Sequence, residues 1–143
     1  IRLVLQQSES APLGAGDELA ELEAFITNWS ALIDIGLEQP LAVIPTPYIP
    51  AVHTIVVDAV NNAVRHGKAD WIRINFSRDA GALLLTVQNN GAPSQGGKSG
   101  LGTAYLDLYA PDTWSLVVTA QGMTQLLVRL EESHVAGISV ASE

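Results

Sequence analysis

A chain of 143 residues, 48% of them hydrophobic, is the size of one domain and apolar enough for a packed core rather than for disorder. It has no cysteine, which excludes disulfides, thiolate metal sites and cysteine nucleophiles. Its formal charge of −8 comes from 15 acids against 7 Lys and Arg that never cluster, which excludes a nucleic-acid groove.

Residues 1–7 (IRLVLQQ) alternate and predict a strand, and the polar, Gly- and Pro-bearing residues 8–16 a loop. Asp17 is placed to cap a helix running to about Asn28. Asp17, Glu18, Glu21 and Glu23 crowd its first turns, where the helix dipole favours acids. Leu19, Leu22, Phe25 and Ile26 form its apolar stripe. Residues 32–38 (LIDIGLE) alternate and predict a second strand. Pro40, Pro45, Pro47 and Pro50 predict irregular chain over residues 39–50. A strong helix is predicted from about Ala51 to His66, with Gly67 as its C-terminal cap. Residues 71–77 and 83–88 are predicted strands joined by a tight turn at 78–81. A Gly/Ser/Asn loop covers residues 89–99, and a short helix is predicted over about 101–109. Residues 114–120 and 123–130 predict a closing hairpin around Gln121-Gly122. The tail, residues 131–143, is of mixed composition and supports no assignment.

No apolar run approaches the roughly 18 residues of a membrane span. His53, His66 and His134 lie too far apart for zinc-ligand spacing. The start at Ile1, without methionine or signal pattern, reads as a piece of a longer multi-domain chain. Hairpins outnumber crossovers in the predicted order. The expected fold is therefore α/β: a two-layer sandwich whose mixed, mostly antiparallel sheet is covered on one face by about three helices.

Chemistry concentrates on the central helix. With about 100° per residue and Asp58 at zero, Asn62, Arg65 and His66 fall near 40°, −20° and 80°. Val52, Val56, Ala59, Val60 and Ala63 fall between about 100° and 200°, the expected core face. An acid, an amide, a guanidinium and an imidazole thus share one side. Ala51 and Ile55 share it too, so only its C-terminal half is polar, as on any amphipathic helix with one solvated side.

The strand over 83–88 ends in Asn89-Asn90-Gly91, which by itself marks a turn. The loop beyond runs Gly96-Gly97-Lys98-Ser99-Gly100-Leu101-Gly102 into a helix. Glycines at that place let backbone amides approach a phosphate, although flexible surface loops look the same. Gly97-Lys98-Ser99 is not a P-loop: the required earlier glycine position is Ala92, with Gly91 one residue out of place. Nor does a later apolar strand end in an Asp to hold magnesium.

Together these pieces resemble the ATP-binding (catalytic) domain of bacterial sensor histidine kinases, in the superfamily shared with gyrase, MutL and the anti-sigma-factor serine kinases. Residues 57–67 (VDAVNNAVRHG) resemble its N box, Glu-x-x-x-Asn-Ala-x-x-His. Val87-Gln88-Asn89-Asn90-Gly91 is similar to the G1 box, Asp-x-Gly, and Ser99-Gly100-Leu101-Gly102 to the G2 box. Gly122-Met123-Thr124 falls where a Gly-Thr opens the last strand. The resemblance covers about residues 20–130 and implies a Bergerat-type α/β sandwich. The stretch ahead of the N box shows no acceptor-type histidine.

The resemblance implies ATP and Mg2+ as cofactors, with Asn62 as magnesium ligand, an amide oxygen being a hard donor suited to it. Arg65 and His66 would contact phosphates. Asp58 takes the place of the Glu that polarises the attacking group or a magnesium-bound water. Asn89 takes the place of the Asp that accepts from the adenine amine, and Gly91 would let the base pack at the strand end. Gly100, Leu101 and Gly102 would bring helix amides to the phosphates, and Thr124 would add a polar contact to adenine. It implies a histidine-bearing dimerisation domain and a response regulator as partners, with no nucleic acid and no membrane contact. The expected location is the cytoplasm, as a free protein or as the cytoplasmic part of an anchored one.

Three positions depart from the pattern. Asp58 is one methylene shorter than Glu, which draws its carboxylate back by roughly 1.5 Å. Asn89 loses the charge that strengthens a hydrogen bond. Lys98 replaces the first G2 glycine and either adds a phosphate contact or crowds one. The lid over 92–99 is short and no Phe-containing box is present, as in the subgroup typified by nitrate and cell-envelope sensors. Two alternatives stay open: a degenerate domain that binds nucleotide or protein with weakened or lost catalysis, and a serine kinase of the anti-sigma type.

Overall fold

The structure, a computed structural model, describes residues 15–92 and 106–132. The first predicted strand, most of the loop before α1, the chain over 93–105 and the tail from 133 lie outside the described residues.

Helix α1 spans Ala15–Ser30, with Asp17 and Glu18 in its first turn. Its predicted stripe is confirmed: Leu22 and Ile26 are buried, and Leu19, Phe25 and Trp29 pack at the margin of the core. Strand β1, Asp34–Leu37, follows and is shorter than predicted. The proline segment is more ordered than predicted. It makes two 3-10 turns, Leu41–Val43 and Thr46–Tyr48, and then enters helix α2, Ile49–Arg65, with Pro50 in the first turn. A helix start tolerates proline because that turn's N–H groups have no partner within the helix.

Strands β2 (Trp71–Asp79) and β3 (Ala82–Asn89) form a hairpin. The two-residue turn puts Ala80 at φ +50° and Gly81 at +86°, the left-handed pair that suits the strands' twist. Residues 106–109 are helical, as predicted for the end of the third helix. Strands β4 (Trp114–Val118) and β5 (Thr124–Glu131) close the chain as the predicted hairpin.

The sheet order is β1-β2-β3-β5-β4. Only the β1–β2 pair is parallel; the other three are antiparallel. Register lines side chains into rows across the sheet, buried in its centre and exposed at Leu116 and Val118 on the edge strand β4. Phe76, Leu85, Val128 and Trp114 form one row; Ile74, Val87, Leu126 and Leu116 form the next. The last row, at the C-terminal end of β3, reads Ile35, Ile72, Asn89, Thr124 and Val118. Helices α1 and α2 pack on this face, giving the expected two-layer sandwich with a mixed, mostly antiparallel sheet. α2 buries more than its predicted stripe: Ala51 and Ile55 are as buried as Val52 and Val56. α1 and β3 contact it from two directions, and the polar groups of its first half are confined to the half-buried Thr54 and His53, the latter facing Glu21.

Candidate functional site

Two clusters of the expected residues are built separately and then fastened together. The first lies on the second half of α2. One helical turn separates Asp58 from Asn62, and the Asn62 Nδ2 donates to Asp58 Oδ2 at 3.0 Å. That bond fixes the amide: its nitrogen is committed to the carboxylate, so its carbonyl oxygen is the atom left to accept or to ligate. Burial pushes the Asp58 carboxyl above its ordinary value, and the Asn62 hydrogen bond partly offsets this. Arg65 and His66 follow on the exposed end of the helix, with no ion-pair partner among the described residues.

The second cluster lies at the end of β3. Asn89 and Thr124 are cross-strand partners, only 7% and 5% exposed, and they are the buried polar residues of the described core. They do not bond each other. Asn89 Oδ1 accepts from the Gly91 N–H at 2.7 Å, and Thr124 Oγ1 donates to the Gly91 carbonyl at 2.8 Å. Gly91 thus satisfies one valence on each side chain. Among the described residues no acceptor faces the Asn89 Nδ2. A buried amide NH2 left without a partner would cost on the order of 1–3 kcal/mol.

Gly67 and Gly91 join the clusters. The chain turns off α2 through His66, its C-cap, whose N–H and that of Gly67 both bond the Asn62 carbonyl. The predicted glycine cap is therefore corrected: the left-handed residue is Lys68, at φ +62°. Gly67 is glycine for a different reason. A Cβ there would lie 2.7 Å from the Ala92 carbonyl oxygen and 2.8 Å from that of Ala63. A Cβ on Gly91 would lie 2.8 Å from the Gly67 carbonyl oxygen. The Ala92 N–H bonds that same oxygen at 3.0 Å. The end of α2 and the loop after β3 are therefore in backbone contact. The space at Gly91 expected to receive a base is taken, on this side, by Gly67 and Ala69.

Asn90, read in the sequence only as a turn residue, is a clamp. Its Oδ1 accepts from the Asp70 and Trp71 N–H groups and its Nδ2 donates to Asp70 Oδ1. It pins the start of β2 to the end of β3, beside Asn89. Nothing local in the sequence signals this, because its partners lie some twenty residues upstream.

The structure thus brings together Asp58 with Asn62, and Asn89 with Gly91 and Thr124. Lys98, Gly100, Leu101 and Gly102 lie outside the described residues. No group of His, Asp and Glu able to hold a metal by itself occurs among the described residues. No helix among them is long and apolar enough to cross a membrane.

No family model matches the chain, and no curated protein matches it. Solved structures do. The histidine kinase domain of the blue-light-activated histidine kinase EL346 from Erythrobacter litoralis superposes with a TM-score of 0.60 at 17% identity, over 85% of this chain and 68% of that one. The ATP-binding domain of PrrB from Mycobacterium tuberculosis gives 0.56 at 21% identity, over 85% of this chain and 96% of that one. The histidine kinase domain of the Escherichia coli osmosensor EnvZ gives 0.56 at 17% identity, over 85% and 91%. The fold is that of histidine kinase ATP-binding domains.

Proposed function

We propose that this chain is the nucleotide-binding catalytic domain of a two-component sensor histidine kinase, one module of a longer protein. It would work on a histidine carried by a separate dimerisation domain, upstream of a response regulator, in the cytoplasm. The observation that carries this reading is the buried Asn89–Thr124 pair, whose amide donor has no acceptor among the described residues, tied through Gly91 and Gly67 to the polar half of α2. Likeness to the ATP-binding domain of PrrB and to the EnvZ kinase domain supports it at the level of fold.

The residues present fit a magnesium nucleotide. The orphaned polar atom at the sheet end suits a base edge, and Asn62 offers a neutral oxygen as a hard metal ligand. Bound Mg-ATP would supply the γ-phosphoryl group. Asn62 would hold the metal through Oδ1, which the Asp58 bond leaves uncommitted. Arg65 and His66 would neutralise phosphate oxygens from the exposed end of α2. Asp58 orients Asn62 through that hydrogen bond, and burial raises its proton affinity above that of an ordinary carboxylate.

The test is isothermal titration with ATP and magnesium, beside the Asn62→Ala variant. Binding to the wild type with a large loss in the variant is expected. Absence of heat above the variant's sinks the kinase reading.

A further inference from the structure

The β2–β3 ladder ends at the pair Ile72–Asn89, and beyond it the two chains part. The Asn90 N–H still reaches the Trp71 carbonyl at 3.2 Å, but Gly91 then turns inward, toward Gly67 and Thr124. The N–H groups of Asp70 and Trp71 are met by the Asn90 side chain instead of by backbone. Its Oδ1 accepts from Asp70 at 3.0 Å and from Trp71 at 3.1 Å, and its Nδ2 donates to Asp70 Oδ1 at 2.7 Å. These bonds fix the orientation of the amide, because the reverse would set its NH2 against two N–H donors.

A side chain thus carries the ladder one step past its last backbone pair, and that step decides where the next residue stands. Gly91 is the hub of the sheet end of the site. Its N–H holds Asn89 Oδ1, its carbonyl holds Thr124 Oγ1, and it lies against Gly67 at the end of α2. Asn90 stands between Asn89 and Gly91 and sends its side chain the other way, to the start of β2. Three bonds from one short side chain restrict the backbone on both sides of it, so Asn90 acts on the site through its neighbours. Asp58 and Asn62 are fixed by their own bond on α2 and do not depend on it. Resting on the nucleotide-binding reading above, we infer that Asn90, oriented by Asp70, is a positioning residue that sets Asn89, Gly91 and Thr124 for the nucleotide base.

The discriminating measurement is equilibrium affinity of the whole chain for Mg-ATP, with Mg-tripolyphosphate as a probe that lacks a base. Asn90→Ala is expected to weaken Mg-ATP ~5–30-fold and tripolyphosphate by less than ~2-fold. Asn90→Asp keeps the acceptor but sets a second carboxylate against Asp70, and should weaken Mg-ATP by a similar ~5–30-fold. Asp70→Asn alone should stay within ~3-fold of the wild type, since its amide oxygen accepts the same bond. Adding Asp70→Asn to Asn90→Asp restores one donor facing one acceptor with the roles exchanged, and Mg-ATP affinity should return to within ~3-fold of the wild type. The exchanged pair tests the inference even if Asn90→Ala does not fold. A folded Asn90→Ala chain with unchanged Mg-ATP affinity overturns the inference and leaves the nucleotide-binding reading standing. So does an equal loss for Mg-ATP and tripolyphosphate, or an exchanged pair that folds and does not recover. A wild type that binds neither probe overturns the reading itself and the inference with it.

Discussion

Asp58 and Asn62 divide a task by a single hydrogen bond, and the cost of that arrangement falls on Asp58. Its carboxyl is partly desolvated, which disfavours the charged form and raises its pKa above the ordinary 3.8. A raised folded-state pKa means that the native state binds the proton more tightly than the unfolded chain does. The associated stability is complete below the ordinary value and is lost as pH rises through the raised one. Asp58→Asn removes the titration while leaving an amide oxygen to accept from Asn62. The variant should therefore gain stability relative to the wild type as pH rises above the ordinary carboxylate value, read as the change in urea midpoint at each pH. A difference that stays flat with pH counts against a desolvated Asp58. Gly67 makes the second residue-scale case. A Cβ at 2.7 Å from one backbone oxygen and 2.8 Å from another cannot be absorbed by a rotamer change. Gly67→Ala should cost about 1–3 kcal/mol. Gly91→Ala strikes a different oxygen, that of Gly67, across the same backbone contact. The two losses should be less than additive in a double variant, since the first shift makes room for the second.

Among elements, α2 is held at both ends by contacts from distant parts of the chain. At its start the buried Tyr48 donates to the Gly81 carbonyl in the β2–β3 turn at 2.9 Å, and Arg78 stacks over its ring at 5.7 Å. At its end stands the Gly67–Gly91 contact. The first tether sets where the helix begins and the second where its polar half meets the sheet. Tyr48→Phe keeps the packing and loses only the hydrogen bond, so it should cost about 1 kcal/mol. Tyr48→Ala also opens a cavity and should cost about 3–5 kcal/mol. Urea denaturation with unchanged m-values would read both. Equal costs for the two would place the stabilisation in the hydroxyl alone. These tethers also mark what the sequence could show. α1, α2 and the two hairpins were legible, because period and turn chemistry are local. The burial of Ala51 and Ile55 was not, because a helical wheel assumes one covered side and α2 is contacted from two. The Asn90 clamp depends on partners about twenty positions upstream, and the reason for Gly67 depends in part on Ala92 on a distant loop, so no local pattern carries them. The pairing of Asn89 with Thr124 became a statement about chemistry only once the register set both in one interior row.

For the whole molecule, charge decides how a triphosphate is met. The net charge is −8, and seven of the fifteen acids precede Pro40, where Arg2 is the only cation. A free triphosphate approaching this chain meets repulsion over most of its surface, with Arg65 and His66 the exposed basic groups at the end of α2. Magnesium cancels much of that charge before contact, and in the proposed reading Asn62 would offer it an oxygen without adding charge. Binding should therefore depend on the metal more steeply than on either partner's own charge. Thermal unfolding reads this directly, because a ligand held only by the native state adds RT ln(1 + [L]/Kd) to stability. At about 100 times Kd the gain is about 2.7 kcal/mol, which for a chain of this size raises Tm on the order of 8 °C. Mg-ATP should produce a rise of that order. ATP with EDTA should produce a small one, and magnesium alone none, since no cluster of His, Asp and Glu among the described residues holds a metal unaided. Asn62→Ala should reduce the Mg-ATP rise to the level of ATP with EDTA. A rise that survives EDTA would place the binding energy in base and cation contacts and remove Asn62 from the role of metal ligand.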